Sequence, residues 1–351
     1  MLQKTPLYQE HLKLKAKIVP FSGWELPIQY QGIIEETVYT RSKVSIFDTS
    51  HMGEFLFEGD ALASGLDYCV TIDLTKLPIS KGKYGFLLNE EGGTVDDIII
   101  FRLDTKKYLI IVNAGTQDKD FTLIKNSLKG DSSFKNLSNE FGKIDIQGPL
   151  AKEVMLGIGI LVADLPYFGI NTINLNGTAG YVSRTGYTGE LGYEVCLPNK
   201  EIISLWQKLL QNEVVKPAGL GARDILRLEK GYSLYGHELT EEITPFEAGL
   251  EKFIYLEKDF RGKAALLNKQ KNKVKVAFKT VSKRAPREGY KIYANDTVIG
   301  FVSSGTYSPF LEKGIGLGYI AADQTTKLNM NLTVGTESLK IDIALANLPF
   351  N

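Results

Sequence analysis

Residues 83–115 read KYGFLLNEEGGTVDDIIIFRLDTKKYLIIVNAG, and the architecture is best read outward from them. Two apolar runs flank the turn-forming NEEGG, and a third, YLIIVNA, follows DTKK. Short apolar runs punctuated by such turns are the pattern of an antiparallel meander. Inside it, Asp96 and Asp97 stand directly before Ile98, Ile99, Ile100 and Phe101. Side chains alternate across a strand, so the two aspartates face opposite sides. Both neighbourhoods are apolar, and at least one carboxylate is therefore expected in a partly buried place. A charge there must be paired, protonated or functional. The competing reading is a turn-stabilising role.

Upstream, IIEETVYTRSK (33–43) predicts a helix with Ile33, Ile34, Val38 and Val44 on one side. Asp60 reads as the N-cap of a second helix beginning ALASGLDYC. Downstream, Thr116 can cap a helix to about Leu128, and Pro149 sits where a helix would begin after the strand KIDIQG. EIISLWQKLLQN (201–212) and GARDILRLEKG (221–231) are further helices. From about 272 onward short strands and glycine turns dominate, as in a small β barrel or sandwich, with a boundary near 255–272. Pattern alone gives a multidomain α+β protein.

Composition narrows the function. At 351 residues the chain suits two or three domains. Forty-one basic residues balance 41 acidic ones, which is not the charge of a general nucleic-acid binder. Cys69 and Cys196 lie far apart and outside any C-x-x-C pair, so neither a disulfide framework nor a cysteine zinc site is expected. An all-histidine site would need His11, His51 and His237 together, and no metal is expected. The N-terminus lacks a signal-peptide core and no run approaches ~18 apolar residues, so no membrane span and a cytoplasmic address are expected. GLGARD (219–224) and GIGLG (314–318) contain G-x-G without the strand-to-helix context of a dinucleotide site, so no NAD is expected. His51 reads as a bonded, interior histidine rather than a base, and His237 receives no role.

A series of motifs, in order, resembles the glycine-cleavage T-protein family. It opens with TPLYQEHLKLKAKIVPFSGWELPIQY (5–30) and RSKVSIFDTSHMGEF (41–55). It continues through Y-x-x-x-x-N-E-x-G-G-x-x-D-D (84–97), IQGP (146–149), RTGYTGELGYE (184–194), GLGARDILRLEKG (219–231) and LYGHEL (234–239). ITPFEAGL (243–250), KDFRGKAAL (258–266), GTYSPFLEKGIGLGYI (305–320) and a terminal LPF complete it. The resemblance implies a three-domain cloverleaf around a central folate site. Its expected parts are a discontinuous folate-binding domain (1–50 plus 140–250), an α+β domain with the GGTVDD hairpin (51–139) and an all-β domain (255–351).

The implied activity is aminomethyl transfer from the lipoyl arm of a carrier, the H-protein, to tetrahydrofolate as co-substrate, with no flavin. By resemblance Asp96 is the carboxylate that orients N5 of the folate and takes its proton, while Asp97 is a structural hydrogen-bonder. Glu194 and Arg223 match folate-binding positions, and Tyr84, Tyr187, Tyr235 and Asn113 match positions near the ligand. Relatives of the same architecture include a tetrahydrofolate-dependent demethylase and a non-catalytic folate-binding protein that supports iron–sulfur enzymes. The latter carries a cysteine where this chain reads KGYSLYGHE. The chain ends at Pro349, Phe350 and Asn351, where many relatives continue with aromatic and basic residues, so a ligand contact from that end is not expected.

One charged stretch remains. Between 268 and 287 stand Lys269, Lys271, Lys273, Lys275, Lys279, Lys283, Arg284 and Arg287, with no acid among them. They read either as lysines guarding an edge strand or as a steering surface for an acidic carrier.

Overall fold

The computed structural model describes residues 2–350 apart from Ala163 and Asn176. The chain forms two compact units. The first takes the chain to Leu87, then Asp96–Arg223 and Glu257–Phe260; the second takes Leu88–Val95, Asp224–Leu256 and everything from Arg261 on.

Two larger sheets organise the first unit. One has six strands in the order Ile170–Leu175, Thr178–Ser183, Gly192–Pro198, Phe141–Gln147, Val44–Asp48, Val215–Pro217. The helix Asn199–Leu209 covers it with Ile202, Leu205, Trp206 and Leu209, all fully buried. Their i, i+3, i+4, i+7 spacing makes one apolar stripe, and burial of each such side chain contributes roughly 1.5–3 kcal/mol. The other sheet has five strands: Lys81–Leu88, Thr94–Asp104, Lys107–Val112, Gly53–Glu58, Ser133–Asn136. Its first three are the expected meander, with Ile99 opposite Ile111 and Phe101 opposite Leu109. A small sheet of Gln3–Lys4, Trp24–Gln29 and Lys17–Phe21 completes the unit.

The helix Ile33–Ser42 forms where expected, but the opposite face is inside. Ile34 and Val38 are 43% and 42% exposed, whereas Glu36, Thr37 and Thr40 are buried. The polar side chains are buried because they bond. Glu36 accepts from the backbone N–H groups of Tyr30, Gln31 and Gly219, and Thr37 and Thr40 donate to carbonyls one turn back. Val44 belongs to the following strand. Asp60 caps a turn, accepting from Leu62 and Ala63, and the helix itself is only Leu66–Cys69. Among the described residues no helix is long and apolar enough to cross a membrane.

The second unit is built on a closed six-stranded barrel: Lys273–Thr280, Lys313–Ala321, Thr297–Ser308, Lys291–Ala294, Leu332–Gly335, Lys340–Leu345. Closure brings a second partner strand to the end of the lysine stretch, at Phe278–Thr280, while Lys273–Ala277 has its ladder partner in Lys313–Ala321. Val274 lies opposite Ile320 and Lys279 opposite Ala344. The stretch is not one cationic surface. Lys275 is largely buried and donates to Ser233, Lys271 and Lys283 lie at 3.9 and 3.1 Å from Glu251 and Glu312, and Lys273 sits over the Phe301 ring.

The hairpin turn after Leu87 and the segment after Arg223 belong to the same unit as the barrel. The reason is hydrogen bonding. Thr94 N donates to the carbonyls of Thr240 and Ile243, Thr94 Oγ1 donates to Ile243, and Asn89 Nδ2 donates to Glu241. Gly92 takes φ +78°, and a Cβ on Gly93 would run into the Glu241 carbonyl, so both glycines are required. At the other end of the unit, Phe350 is buried and its N–H donates to the Glu229 carbonyl. Asn351 lies outside the described residues.

Candidate functional site

The strand Thr94–Asp104 turns Asp96 and Asp97 to opposite faces, as alternation requires, and their surroundings differ sharply. Asp96 is 0% exposed. Its Oδ2 accepts from Asn113 N and Thr116 Oγ1 and its Oδ1 from Asn113 Nδ2, each at 2.9 Å. Thr116, expected as a helix cap, spends its hydroxyl here; the helix Gln117–Ser127 starts without a side-chain cap. Burial raises the Asp96 carboxyl above its ordinary value, and these donors pull it back. Asp97 is only partly buried. Its Oδ2 accepts from Tyr84 Oη at 3.0 Å and its Oδ1 from Asn113 Nδ2 at 2.9 Å. Burial and then the Asp96 charge lift the Asp97 carboxyl to about 7, against the pull of Tyr84 and Asn113.

This arrangement sets the two carboxylates apart. Asp96 has no exposed surface and both its oxygens are engaged by the chain. Asp97 retains surface and gains or loses a proton near neutral pH, where a carboxyl is an effective proton acceptor. Of the two, Asp96 is held on both oxygens by the chain, and Asp97 keeps exposed surface. Asn113, expected near the ligand, bridges the two acids through one amide nitrogen.

A second cluster lies across the strands Phe141–Gln147 and Gly192–Pro198, which set Asp145 directly opposite Glu194. Like charges facing each other across a ladder repel. Two cations offset that. Arg223 Nη1 donates to Asp145 Oδ2 at 2.5 Å, and Lys143 Nζ stands 3.5 Å from Glu194 Oε2. Thr49 Oγ1 donates to the other Asp145 oxygen at 2.7 Å. The Arg223 cation and that of Lys143 hold Asp145 below the usual carboxylate range despite full burial, while burial and Asp145 raise Glu194. The Arg223 guanidinium lies 5.1 Å from the Tyr187 ring centroid, a cation–π contact. Tyr187 in turn acts electrostatically on Tyr84, whose hydroxyl burial and Asp97 push up. Tyr84, Asp97, Tyr187, Arg223 and Glu194 therefore form one continuous group of the first unit. Tyr235 belongs to the second unit, where it forms a backbone bridge with Leu239.

Sequence reading missed Lys143, Asp145, Glu54 and Asp120. Lys143 and Asp145 alternate with Ile144 and Ile146, the pattern of a half-exposed strand, yet all four are buried. Glu54 is fully buried, no group of the chain donates to either of its oxygens, and burial lifts its carboxyl to about 8. His51 is buried, no described residue bonds its Nδ1, and burial lowers the ring to about 4, so it is neutral. Among the described residues no group of three or more His, Cys, Asp or Glu side chains could hold a metal ion.

Comparison with known proteins agrees with the motif order. Residues 7–258 match the GCVT N-terminal domain, and residues 273–350 match the glycine cleavage T-protein C-terminal barrel domain. An aminomethyltransferase of Natranaerobius thermophilus is 41% identical over 337 residues, covering 93% of this chain and 92% of that one. One from Geobacillus sp. (strain WCH70) is 39% identical over 361 residues, covering 100% and 99%. The crystal structure of the glycine cleavage system aminomethyltransferase T from Bartonella henselae superposes with a TM-score of 0.93 at 30% identity, covering 100% of this chain and 98% of that one. Two domain matches in sequence order, relatives matched end to end and a shared fold lead to one conclusion: the chain belongs to the glycine cleavage T-protein family, the aminomethyltransferases.

Proposed function

We propose that this aminomethyltransferase moves the methylene carbon of an aminomethyl group, carried on the lipoyl arm of an H-protein, to tetrahydrofolate. The C–S bond to the arm and the C–N bond to the leaving amine break, and bonds from carbon to N5 and N10 of the folate form. Two protons leave the folate nitrogens; one ends on the sulfur and one on the departing ammonia. No electrons are exchanged with any other group.

The observation that carries this reading is Asp97. It is a partly buried carboxyl lifted to about 7, held in direction by Tyr84 and Asn113. Near neutrality such a group takes a proton from a weakly basic nitrogen and gives it up again without large cost in either direction. The second cluster fits a flat, polar ring. Glu194 keeps acceptor capacity beyond its contacts with Lys143 and Thr185, enough for adjacent N–H donors. Tyr187 offers a stacking face stiffened by Arg223. Arg223 itself is committed to Asp145, so its part is to hold Tyr187 and balance the site's charge. Tetrahydrofolate, when bound, supplies the nucleophilic nitrogens.

The test is an assay with aminomethylated H-protein and tetrahydrofolate, following ammonia and methylenetetrahydrofolate. Both products should appear in equal amounts, and Asp97→Asn should abolish them together. Transfer of a methyl group from a free sulfonium compound, with no ammonia released, would overturn the reading.

A further inference from the structure

Behind Asp96, on the side away from Asp97, the helix Gln117–Ser127 buries a third acid, Asp120, at 0% exposure. Among the described residues no N–H donates to either of its oxygens. Its neighbours within hydrogen-bond reach are the Asp96 carboxyl and Thr116 Oγ1. The Thr116 hydroxyl has a single hydrogen, and this faces Asp96 Oδ2 and the Asn113 carbonyl. Two carboxylates buried side by side do not both ionise, so the pair carries one proton. Asp96 accepts two N–H groups of Asn113, which cannot turn away, and no N–H of the described residues reaches Asp120; the anion is therefore Asp96, and the proton belongs to Asp120. The position of the proton is thus set by the geometry of the donors.

We propose that Asp120 is a positioning residue whose neutral carboxyl donates to Asp96, fixing there a single buried negative charge that governs when Asp97 takes up its proton. The link is short: one Asn113 amide nitrogen touches Asp96 Oδ1 and Asp97 Oδ1, each at 2.9 Å. The charge on Asp96 opposes ionisation of Asp97 and raises its affinity for a proton. The other groups facing Asp97 are Tyr84 from the adjacent strand and, through Tyr84, Tyr187. Facing the acid pair from the helix is Lys119, whose cation acts weakly on Asp120. Burial lifts Asp120 to about 10, Asp96 adding to it, in keeping with a proton retained throughout the working range. The inference rests on Asp97 being the reacting carboxylate.

The test is carboxyl 13C NMR titration of the whole enzyme labelled at aspartate, with signals assigned by substitution. The Asp120 carbon should show a protonated acid, unchanged from about pH 5 to 8; an ionised Asp120 at pH 7 overturns the proposal. Asp96→Asn should lower the Asp97 midpoint by at least about one pH unit, and an unmoved midpoint overturns it. Asp120→Asn, neutral and still a donor, should keep the midpoint within about 0.3 unit of the wild type, whereas Asp120→Leu should lower it, because Asp96 then takes a proton for itself. The reverse order of those two variants overturns the proposal. If Asp120→Leu fails to fold, the other three measurements still decide. Activity separates the two readings: full turnover in Asp97→Asn refutes the proposed function, while the titrations still decide the acid pair.

Discussion

Glu54 makes a stability prediction that depends on burial alone. In the fold its carboxyl is lifted from the ordinary 4.5 to about 8, chiefly by burial, with Lys143 opposing and Glu194 reinforcing. A carboxyl with a raised value is neutral in the folded chain over a range in which the unfolded chain ionises. Its contribution is therefore complete below about pH 4.5 and is lost as the pH climbs through 8. Each pH unit within that window costs the fold about 1.4 kcal/mol, which comes to roughly 2–3 kcal/mol between pH 5 and 7. Glu54→Gln matches the neutral carboxyl in size and charge and cannot ionise, so the charges of Lys143 and Glu194 stay as they are. Urea unfolding of both proteins at pH 5, 6 and 7 should give nearly equal stability at pH 5. The variant should then gain on the wild type by about 2 kcal/mol by pH 7. Parallel curves across that range would refute the reasoning, because Glu54 would then be ionised in the folded chain and paired with Lys143.

Other substitutions test the remaining assignments. Asp97→Asn should lower turnover by at least ~10²-fold with folate still bound, measured by stopped assay and direct binding; a silent Asp97→Asn beside an inactive Asp96→Asn would return the role to the buried acid. Arg223→Ala strands the buried Asp145 charge and should cost about 3–5 kcal/mol of stability, most of it recovered by adding Asp145→Asn; equal unfolding midpoints for the single and double variants would show that the pair is not holding the sheet. Lys275→Glu places a second acid near Glu238 inside the second unit and should lower its unfolding temperature by several degrees, whereas Lys271→Glu at the exposed surface should be nearly neutral. Comparable effects of the two would restore the picture of one exposed lysine face.

Local pattern carried much of the architecture. The meander was legible at residues 83–115 because three apolar runs and two turns admit few other arrangements, and the barrel was legible from its short strands and glycine turns. The stripe at Ile202, Leu205, Trp206 and Leu209 was legible for the same reason: its period is a property of the helix itself. The pair Asp96 and Asp97 stood out as chemistry because acids inside an apolar strand demand an explanation, and alternation placed them on opposite faces.

Which face was which could not be read locally. Asp96 lost its surface to Asn113, Thr116 and Asp120, at sequence separations of 17 to 24 residues, and only folding brought those groups to it. The helix Ile33–Ser42 turned its threonines and Glu36 inward because unpaired N–H groups of Tyr30, Gln31 and Gly219 waited there. Lys279 ceased to stand on an edge when the barrel closed on Lys340–Leu345. Sequence by itself determined the elements, the family and the presence of an acid site, all of which depend on the order of residues along the chain. Tertiary structure decided which carboxylate keeps its surface, which buried charge finds a partner and where a proton is held, because dielectric and hydrogen-bond supply are set by distant segments packed together.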